Sequence, residues 1–275
     1  MKLVHLYNHN NGLRMKEKLK IALIQSNLIW ENPAANKAHF SDQINSIPKP
    51  VDLIILPEMF STGFTMNAAP VAEQMDGETV SWLIQMAIEK ECAITGSIII
   101  EENGSYYNRL LFVQPNGQIQ HYDKHQLFTL AKEQDVFTAG QQEVIIDYKG
   151  WKIKPQICYD LRFPVWARNT TDYDVLLYVA SWPKKRINAW DILLQARAIE
   201  NMCYAIGVNR VGIDGKGFEY NGHSAVYDVL GNSLIDNLPV ENETILLTTL
   251  VKKHIIEQRS KLGFLQDRDS FKLLF

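Results

Sequence analysis

The stretch Asp52-Leu53-Ile54-Ile55-Leu56-Pro57-Glu58 contains the pattern on which both the fold and the site depend. Its consecutive apolar residues are too few for a buried helix and indicate a strand in the interior of a sheet, which Pro57 ends. Glu58 follows directly beyond that strand, where a rigid scaffold can hold a side chain at the edge of a cleft. We therefore predict a buried strand whose end carries a candidate general base, with a salt-bridged structural glutamate as the alternative.

Apolar runs of the same kind recur along the chain and alternate with helical patterns. Strands are predicted at 21–25, 53–56, 93–100, 175–180 and 204–208. Pro33 can open a helix that extends to about residue 47, and apolar residues recur at helical spacing over 80–88 and 190–198. Alternating strands and helices are typical of an α/β protein.

Two meanders interrupt this alternation. One covers 106–121 and turns at Pro115-Asn116-Gly117, and the other covers 224–236 and turns near Gly231-Asn232. Meanders add antiparallel strands to the parallel ones, so the sheets should be mixed. Each half of the chain thus contributes a few βα units and a meander, which predicts a four-layer α-β-β-α sandwich of two mixed sheets with the helices outside.

The composition argues against nucleic-acid and membrane partners and indicates the cellular compartment. The 28 Lys and Arg residues balance 31 Asp and Glu residues, which leaves a net charge of -3 and no basic surface for nucleic acid. No apolar run approaches the roughly 18 residues that cross a bilayer, so we expect no membrane partner. The cysteines Cys92, Cys158 and Cys203 are far apart and lack zinc-type spacing. Such free thiols are typical of a cytoplasmic protein.

The length favours one large domain. A chain of 275 residues with 46% hydrophobic residues can bury a substantial core. Residues 1–15 are polar and Asn-rich and precede the first apolar strand. We predict that they form a disordered extension and that 16–275 form a single domain.

A second candidate site residue lies in Ile157-Cys158-Tyr159-Asp160-Leu161-Arg162-Phe163-Pro164. The pattern is that of a strand, a polar turn and a proline that can start a helix. A thiol at such an elbow faces a cleft, and a helix N-terminus beside it favours the thiolate. The alternatives are an inert buried cysteine, which suits Cys92 and Cys203 better, and a redox-sensing thiol.

A third candidate is Lys124, in Tyr122-Asp123-Lys124-His125 just after a meander strand. Alone it would be interpreted as a surface lysine. A cysteine amidase, however, needs a fixed donor where the carbonyl oxygen becomes an oxyanion, and a good donor contributes about 3 kcal/mol there. A competing arrangement is a Cys-His pair, for which His125 and His223 are the better histidines.

These three motifs, in this order, resemble the nitrilase superfamily of carbon-nitrogen hydrolases, whose catalytic set is Glu-Lys-Cys. The resemblance covers the chain from about residue 20 to its end. It implies that Glu58 is the general base, that Cys158 is the nucleophile that forms a thioester, and that Lys124 and the backbone N–H of Tyr159 hold the oxyanion. It also implies a homodimer, no metal and no cofactor. Glu133 matches a second glutamate that many members carry, and its role would be to position Lys124 and Glu58.

Closer likeness is to the bacterial omega-amidase branch of this superfamily. The segments that carry it are PEMFSTGF at 57–64, RFPVWARN at 162–169, ARAIEN at 196–201 and VNRVG at 208–212. That branch hydrolyses the small-molecule amides 2-oxoglutaramate and 2-oxosuccinamate to the 2-oxo acid and ammonia. The expected alternatives are another small amide, an N-carbamoyl compound or a nitrile as substrate, and, in another class, a non-catalytic binding subunit with a relic site.

Substrate-binding residues are harder to assign from sequence. Apolar walls are expected from Phe60 and Phe64, which follow Glu58, from Tyr159, and from Trp182, which follows the strand at 175–180. Core packing is the alternative for Trp182. The carboxylate of a keto acid needs a cation. Arg162 is the candidate that we name, and the other arginines available in principle are Arg168, Arg197 and Arg210.

Overall fold

The computed structural model describes residues 16–273, so the extension predicted over 1–15 lies outside the described residues. The strands are β1 (Lys18–Gln25), β2 (Leu53–Ile55), β3 (Ala93–Glu102), β4 (Ser105–Val113), β5 (Ile119–Asp123), β6 (Ile146–Tyr148), β7 (Trp151–Ile157), β8 (Val175–Ala180), β9 (Tyr204–Asn209), β10 (Val211–Ile213), β11 (Glu219–Asn221), β12 (Ala225–Tyr227) and β13 (Thr244–Val251). The α-helices are α1 (Pro33–Ser46), α2 (Glu78–Lys90), α3 (Pro164–Ala167), α4 (Ile187–Asn201) and α5 (Lys252–Leu262).

The strands form two mixed sheets and a small hairpin. The first sheet has the order β13-β1-β2-β3-β4-β5, with β1, β2 and β3 parallel and the outer strands antiparallel. The second sheet has the order β12-β9-β8-β7-β6, with β7, β8 and β9 parallel and antiparallel strands at both edges. Strands β10 and β11 pair with each other in a separate hairpin, and Val211 of β10 adds a single bridge to Asn27. Each sheet therefore has a parallel centre with antiparallel edges, and β13 from the C-terminal part of the chain supplies one edge of the first sheet.

The alternation of buried residues along β2 shows how the layers stack. Leu53 and Ile55 belong to a core shared with the second sheet, whereas Ile54 and Leu56 belong to the core beneath α1 and α2. Both faces of the strand are buried, which explains why its apolar run is continuous rather than alternating. On the outer face of the second sheet, α4 packs closely against β9. The four-layer α-β-β-α sandwich of two mixed sheets is thus confirmed.

Two parts of the sheets differ from the sequence-based expectation. The second meander is wrong beyond β12, because Ser233 makes only a single bridge to Tyr227 and the rest of 233–236 is not a strand. The Asp228 carboxylate accepts the backbone N–H groups of Leu230 and Asn232 and so closes a tight turn that no second strand follows. Conversely, β13 pairs with β1 along its whole length, although nothing was predicted there. Within 16–273, no helix is long and apolar enough to cross a membrane.

Candidate active site

Glu58 lies at the end of the first sheet, three residues beyond β2, and its carboxylate is buried. Oε1 accepts hydrogen bonds from Asn108 Nδ2 at 2.9 Å and from Lys124 Nζ at 2.9 Å. Oε2 accepts the backbone N–H of Ser181 at 2.8 Å, directly after β8 of the second sheet. Donors from both sheets therefore fix this carboxylate where the sheets meet. Glu58 thus forms a salt bridge, as the alternative prediction had it, and it also lies at the end of the buried strand, as the main prediction had it.

Lys124 follows β5 and is also buried. Its ammonium donates to Glu58 and, at 3.0 and 2.9 Å, to the two carboxylate oxygens of Glu133. Burial alone would lower the pKa of Lys124, but the negative charges of Glu133 and Glu58 outweigh it and hold that pKa above its usual value. Lys124 is therefore a permanent buried cation, not a surface lysine.

Glu133 begins a short 3₁₀ helix (Glu133–Asp135) and is buried rather than exposed. Besides the ammonium of Lys124, its carboxylate accepts the backbone N–H of Phe128 at 2.6 Å. Burial raises the pKa of Glu133, while Lys124 opposes that rise. Glu133 therefore contacts Lys124, as the family resemblance implies.

Cys158 occupies the elbow at the end of β7. Its φ of 46° lies in the left-handed region, which non-glycine residues rarely adopt, so the chain turns sharply there and a 3₁₀ helix (Cys158–Arg162) begins. The Asp160 carboxylate holds this turn by accepting the backbone N–H of Ile157 at 2.9 Å. It also accepts the Tyr122 hydroxyl at 2.8 Å and the backbone N–H of Gln126 at 2.8 Å. Asp160 therefore ties the elbow at Cys158 to the segment that carries Lys124.

The sequence-based expectation that a helix N-terminus favours the thiolate of Cys158 is wrong. Burial, followed by the negative charge of Glu58, raises the pKa of Cys158 well above its ordinary value, although Lys124 and the N–H of Ser181 act in the opposite direction. The helix that starts here is a single short 3₁₀ turn, so its dipole does not outweigh burial. The resting form is thus a neutral thiol beside an acceptor carboxylate, not a preformed thiolate.

A cavity of about 360 Å³ opens onto Cys158 and Lys124. The predicted wall residues Phe64, Tyr159 and Trp182 line it, and so does Arg162, the predicted cation for the substrate carboxylate. Phe60 does not; it is buried against Phe40 and Trp82, at ring-centroid distances of 5.5 and 5.9 Å. Met59 has a left-handed φ of 44°, which turns the chain so that Phe60 faces the helix layer.

Other candidates lie away from the cavity. Arg168 and Arg197 donate to the backbone carbonyls of Glu200 and Leu161, and Arg210 is buried over the ring of Tyr220. His125 stacks on Trp166 at 3.8 Å between ring centroids, and its Nδ1 lies 2.5 Å from the carbonyl of Gly140. His223 pairs with Asp191 at 3.0 Å. Neither histidine lines the cavity, which removes the geometric basis for a Cys-His pair.

Several site residues escaped the sequence reasoning. Asn108 and Ser181 bind the carboxylate of Glu58, and Arg186 lines the cavity. A buried asparagine inside the apolar strand β4 was a usable signal, since buried polar groups need partners. Arg186 follows Lys184 and Lys185, where nothing in the pattern distinguishes it from a surface cation. In the described part of the chain, no group of three His, Cys, Asp or Glu residues could hold a metal ion.

The sequence model of the carbon-nitrogen hydrolase family matches residues 20–260 of this chain. The chain belongs to the carbon-nitrogen hydrolase family. This carbon-nitrogen hydrolase is 42% identical over 255 residues to the omega-amidase YafV of Escherichia coli K12, with 93% of this chain and 98% of the relative covered. It is 34% identical to the 2-oxoglutaramate amidase of Bacillus subtilis, with 80% and 86% covered.

The same likeness appears among solved structures. XC1258 from Xanthomonas campestris, a CN-hydrolase superfamily protein with an arsenic adduct in its active site, superposes with a TM-score of 0.91 at 41% identity. The match covers 94% of this carbon-nitrogen hydrolase and 100% of XC1258. The resemblance to the nitrilase superfamily and its omega-amidase branch is therefore confirmed, and the chain is a hydrolase of carbon-nitrogen bonds.

Proposed function

We propose that this hydrolase is an omega-amidase that converts 2-oxoglutaramate and 2-oxosuccinamate to the 2-oxo acid and ammonia. The observation that carries the proposal is the buried set of Glu58, Lys124 and Cys158 at a cavity that combines apolar walls with several further cationic side chains. The names of the curated relatives, omega-amidase and 2-oxoglutaramate amidase, support the same substrate class.

Acylation begins with the neutral thiol of Cys158. Glu58 accepts the thiol proton as sulfur attacks the amide carbon, and the carbonyl oxygen becomes an oxyanion. Lys124 and the backbone N–H of Tyr159 stabilise that oxyanion. Glu58 then returns the proton to the leaving nitrogen, so the carbon-nitrogen bond breaks, ammonia departs and a thioester remains on Cys158.

Deacylation uses the same groups in the opposite sense. Glu58 takes a proton from water, the hydroxide attacks the thioester carbon, and Lys124 again faces the oxyanion. The carbon-sulfur bond breaks and Glu58 returns the proton to the sulfur of Cys158. The hydrogen bonds from Asn108 and Ser181 hold Glu58 in place through both half-reactions.

The charge around the cavity favours an anionic substrate. Four cationic side chains other than Lys124 line it, and one carboxylate, that of Asp214, faces them; the four are Lys132, Arg162, Arg186 and Lys216. Asp214 already accepts the Tyr220 hydroxyl at 2.8 Å and the N–H groups of Lys216 and Phe218. A cleft with this excess of positive charge attracts carboxylates and concentrates them at its mouth.

The apolar walls suit a short aliphatic chain. Phe64 and Trp182 line the cavity, and the Lys124 ammonium lies 5.0 Å from the ring centroid of Phe64. Burial of two methylene groups between such walls contributes about 1.6 kcal/mol. A substrate with an amide at one end, a carboxylate at the other and methylenes between them matches a cavity that offers Cys158 and Lys124, apolar walls and further cations.

A homodimer, which the resemblance implies, completes the proposal, together with a cytoplasmic location and no nucleic-acid or membrane partner, which the composition favours. Light scattering of the purified protein measures the subunit number, and fractionation of cells measures the location. A monomer at working concentration would remove the dimer from the proposal and leave the chemistry intact.

A substrate panel tests the function. Steady-state ammonia release is measured for 2-oxoglutaramate, 2-oxosuccinamate, an N-carbamoyl amino acid, an aliphatic nitrile and pentanamide, with Cys158→Ala as the control. The proposal predicts that kcat/KM is highest for the two keto amides and that Cys158→Ala abolishes turnover. Preference for the carbamoyl compound, the nitrile or pentanamide would overturn the substrate assignment, and absence of any turnover would favour a non-catalytic binding subunit.

A further inference from the structure

Two guanidinium groups in the cavity differ from the other cations there. The Cζ of Arg162 lies 4.9 Å from the ring centroid of Trp182, and the Cζ of Arg186 lies 5.0 Å from that of Phe128. Both arginines are half-buried, whereas Lys132 and Lys216 are exposed. Stacking on an aromatic face restrains a guanidinium and leaves its N–H edge available. The two arginines are therefore preorganised, and the two lysines are not.

The N–H groups of these two guanidiniums remain available to a ligand. Across residues 16–273, neither Arg162 nor Arg186 forms a salt bridge, and neither donates a side-chain hydrogen bond to a protein acceptor. Other arginines are committed: Arg109 pairs with Glu102 and Asp123, and Arg197 pairs with Glu200. Unpaired guanidinium donors in a concave apolar site are suited to a planar anion, which they bind in a bidentate manner.

Arg186 is held in place through both its backbone and its guanidinium. Its carbonyl accepts the indole N–H of Trp182 at 2.9 Å, so the ring on which Arg162 stacks also anchors Arg186. The ring beneath Arg186, that of Phe128, packs edge-on against Tyr159 at 4.9 Å. Tyr159 is the residue after Cys158. Arg186 is thus linked through one aromatic contact to the nucleophile elbow.

The substrate is short, so its far end stays close to Cys158. When the amide carbon touches Cys158, the carboxylate carbon of extended 2-oxoglutaramate lies roughly 5 Å away, across four carbon-carbon bonds. A 2-oxo acid presents two carboxylate oxygens and an adjacent keto oxygen, which is more than one guanidinium fork can take. Two guanidiniums on the walls of one cavity match that set of acceptors.

We propose that Arg186 determines substrate specificity by binding the carboxylate of the 2-oxo amide, with Arg162 as the second guanidinium at the same end. This inference rests on the proposed function, because it assumes an amide whose other end is a carboxylate. It assigns the preference for anionic amides to a residue outside the Glu58, Lys124 and Cys158 set.

The test compares two substrates of equal chain length, 2-oxoglutaramate and neutral pentanamide. Arg186→Met is expected to lower kcat/KM for 2-oxoglutaramate about 100-fold, the loss typical of a charge-assisted hydrogen-bond pair, and to change that for pentanamide less than about 3-fold. Arg186→Lys should recover part of the loss, since it restores the charge without the planar fork. Lys185→Met is the matched control, because Lys185 is exposed in the same turn and does not line the cavity.

A binding measurement separates recognition from catalysis. Calorimetric titration of Cys158→Ala with 2-oxoglutaramate should give a dissociation constant that rises by a similar factor when Arg186→Met is added. Equal losses on both substrates, an unchanged dissociation constant, or a loss in Lys185→Met as large as that in Arg186→Met would each overturn the inference. If the wild type does not hydrolyse 2-oxoglutaramate, the proposed function fails first; if it does and Arg186→Met matches it, only this inference fails.

Discussion

The ammonium nitrogen of Lys124 lies 2.9 Å from Oε1 of Glu58, and both side chains are buried. The two residues are 66 positions apart in sequence. Their salt bridge therefore joins the segment after β5 to the segment after β2. Glu133 adds a second carboxylate to the same ammonium. The base and the oxyanion donor of the proposed reaction are therefore parts of one buried charge cluster.

Removal of the cation should destabilise the fold. Lys124→Met leaves the carboxylates of Glu58 and Glu133 buried without a counter-charge, so the free energy of unfolding should fall by about 3 to 5 kcal/mol. Urea denaturation measures it. Lys253→Met, which removes an ammonium whose side chain is 71% exposed, should leave the urea midpoint essentially unchanged. Equal stability of the two variants would show that the buried cluster does not support the fold.

We expect Glu133 to act as a positioning residue, since it contacts Lys124 and does not line the cavity. In Glu133→Gln, the ammonium of Lys124 has Glu58 as its sole carboxylate, which strengthens that pair and makes Glu58 less able to accept the thiol proton. We expect kcat to fall about 100-fold while KM changes little. Asp135→Asn makes the same charge change on an exposed side chain two residues away and should stay within about 2-fold of wild type. A raised KM with an unchanged kcat in Glu133→Gln would assign Glu133 to substrate binding instead.

The carboxylate of Asp160 should contribute to the pH dependence of stability. Burial raises its pKa from 3.8 to about 6, despite hydrogen bonds from Ile157, Gln126 and Tyr122. A carboxyl whose pKa is raised in the folded state stabilises the fold below pH 3.8, and this contribution is lost as the pH rises through about 6. Relative to Asp160→Asn, the wild type should lose on the order of 3 kcal/mol across that window. Urea titrations at pH 4 and 7 measure the difference, and parallel curves for the two proteins would contradict the expectation.

The three cysteines should differ sharply in reactivity. Cys158 lines the cavity, whereas Cys92 and Cys203 are buried in the core, out of reach of a reagent in solution. Burial also raises the pKa of each of these two thiols to about 12. Iodoacetamide should therefore modify Cys158 alone in the folded protein, with a rate that rises with pH because the thiol is protonated at rest. Peptide mass spectrometry after timed quenching measures the three rates. Faster labelling of Cys92 or Cys203 would contradict the exposure of Cys158 to the cavity.

Local patterns predicted the parts of the molecule that depend on neighbouring residues. The apolar run that ends in Pro57 and Glu58 identified a central strand and the group at its end, and continuous burial on both faces explains why that signal was strong. The elbow at Cys158 followed from a strand, a polar turn and Pro164 in the same way.

Contacts between distant parts of the chain could not be predicted in this way. The N–H of Ser181 bonds to Glu58 across 123 residues, and β13 pairs with β1 across more of the sequence still. Phe60 was misplaced because proximity to Glu58 in sequence does not reveal the left-handed turn at Met59. The protonated thiol of Cys158 depends on burial and on the charge of Glu58, which only the folded chain brings together.

The central claim is that Cys158 becomes covalently acylated during turnover. Wild-type protein is mixed with 2-oxoglutaramate, quenched in acid within the first turnovers, and digested for mass spectrometry of the peptide that contains Cys158. The account predicts a 2-oxoglutaryl thioester on Cys158 that hydroxylamine removes and that never forms in Cys158→Ala. Continued release of ammonia by Cys158→Ala, or turnover of the wild type without any adduct on Cys158, would contradict it.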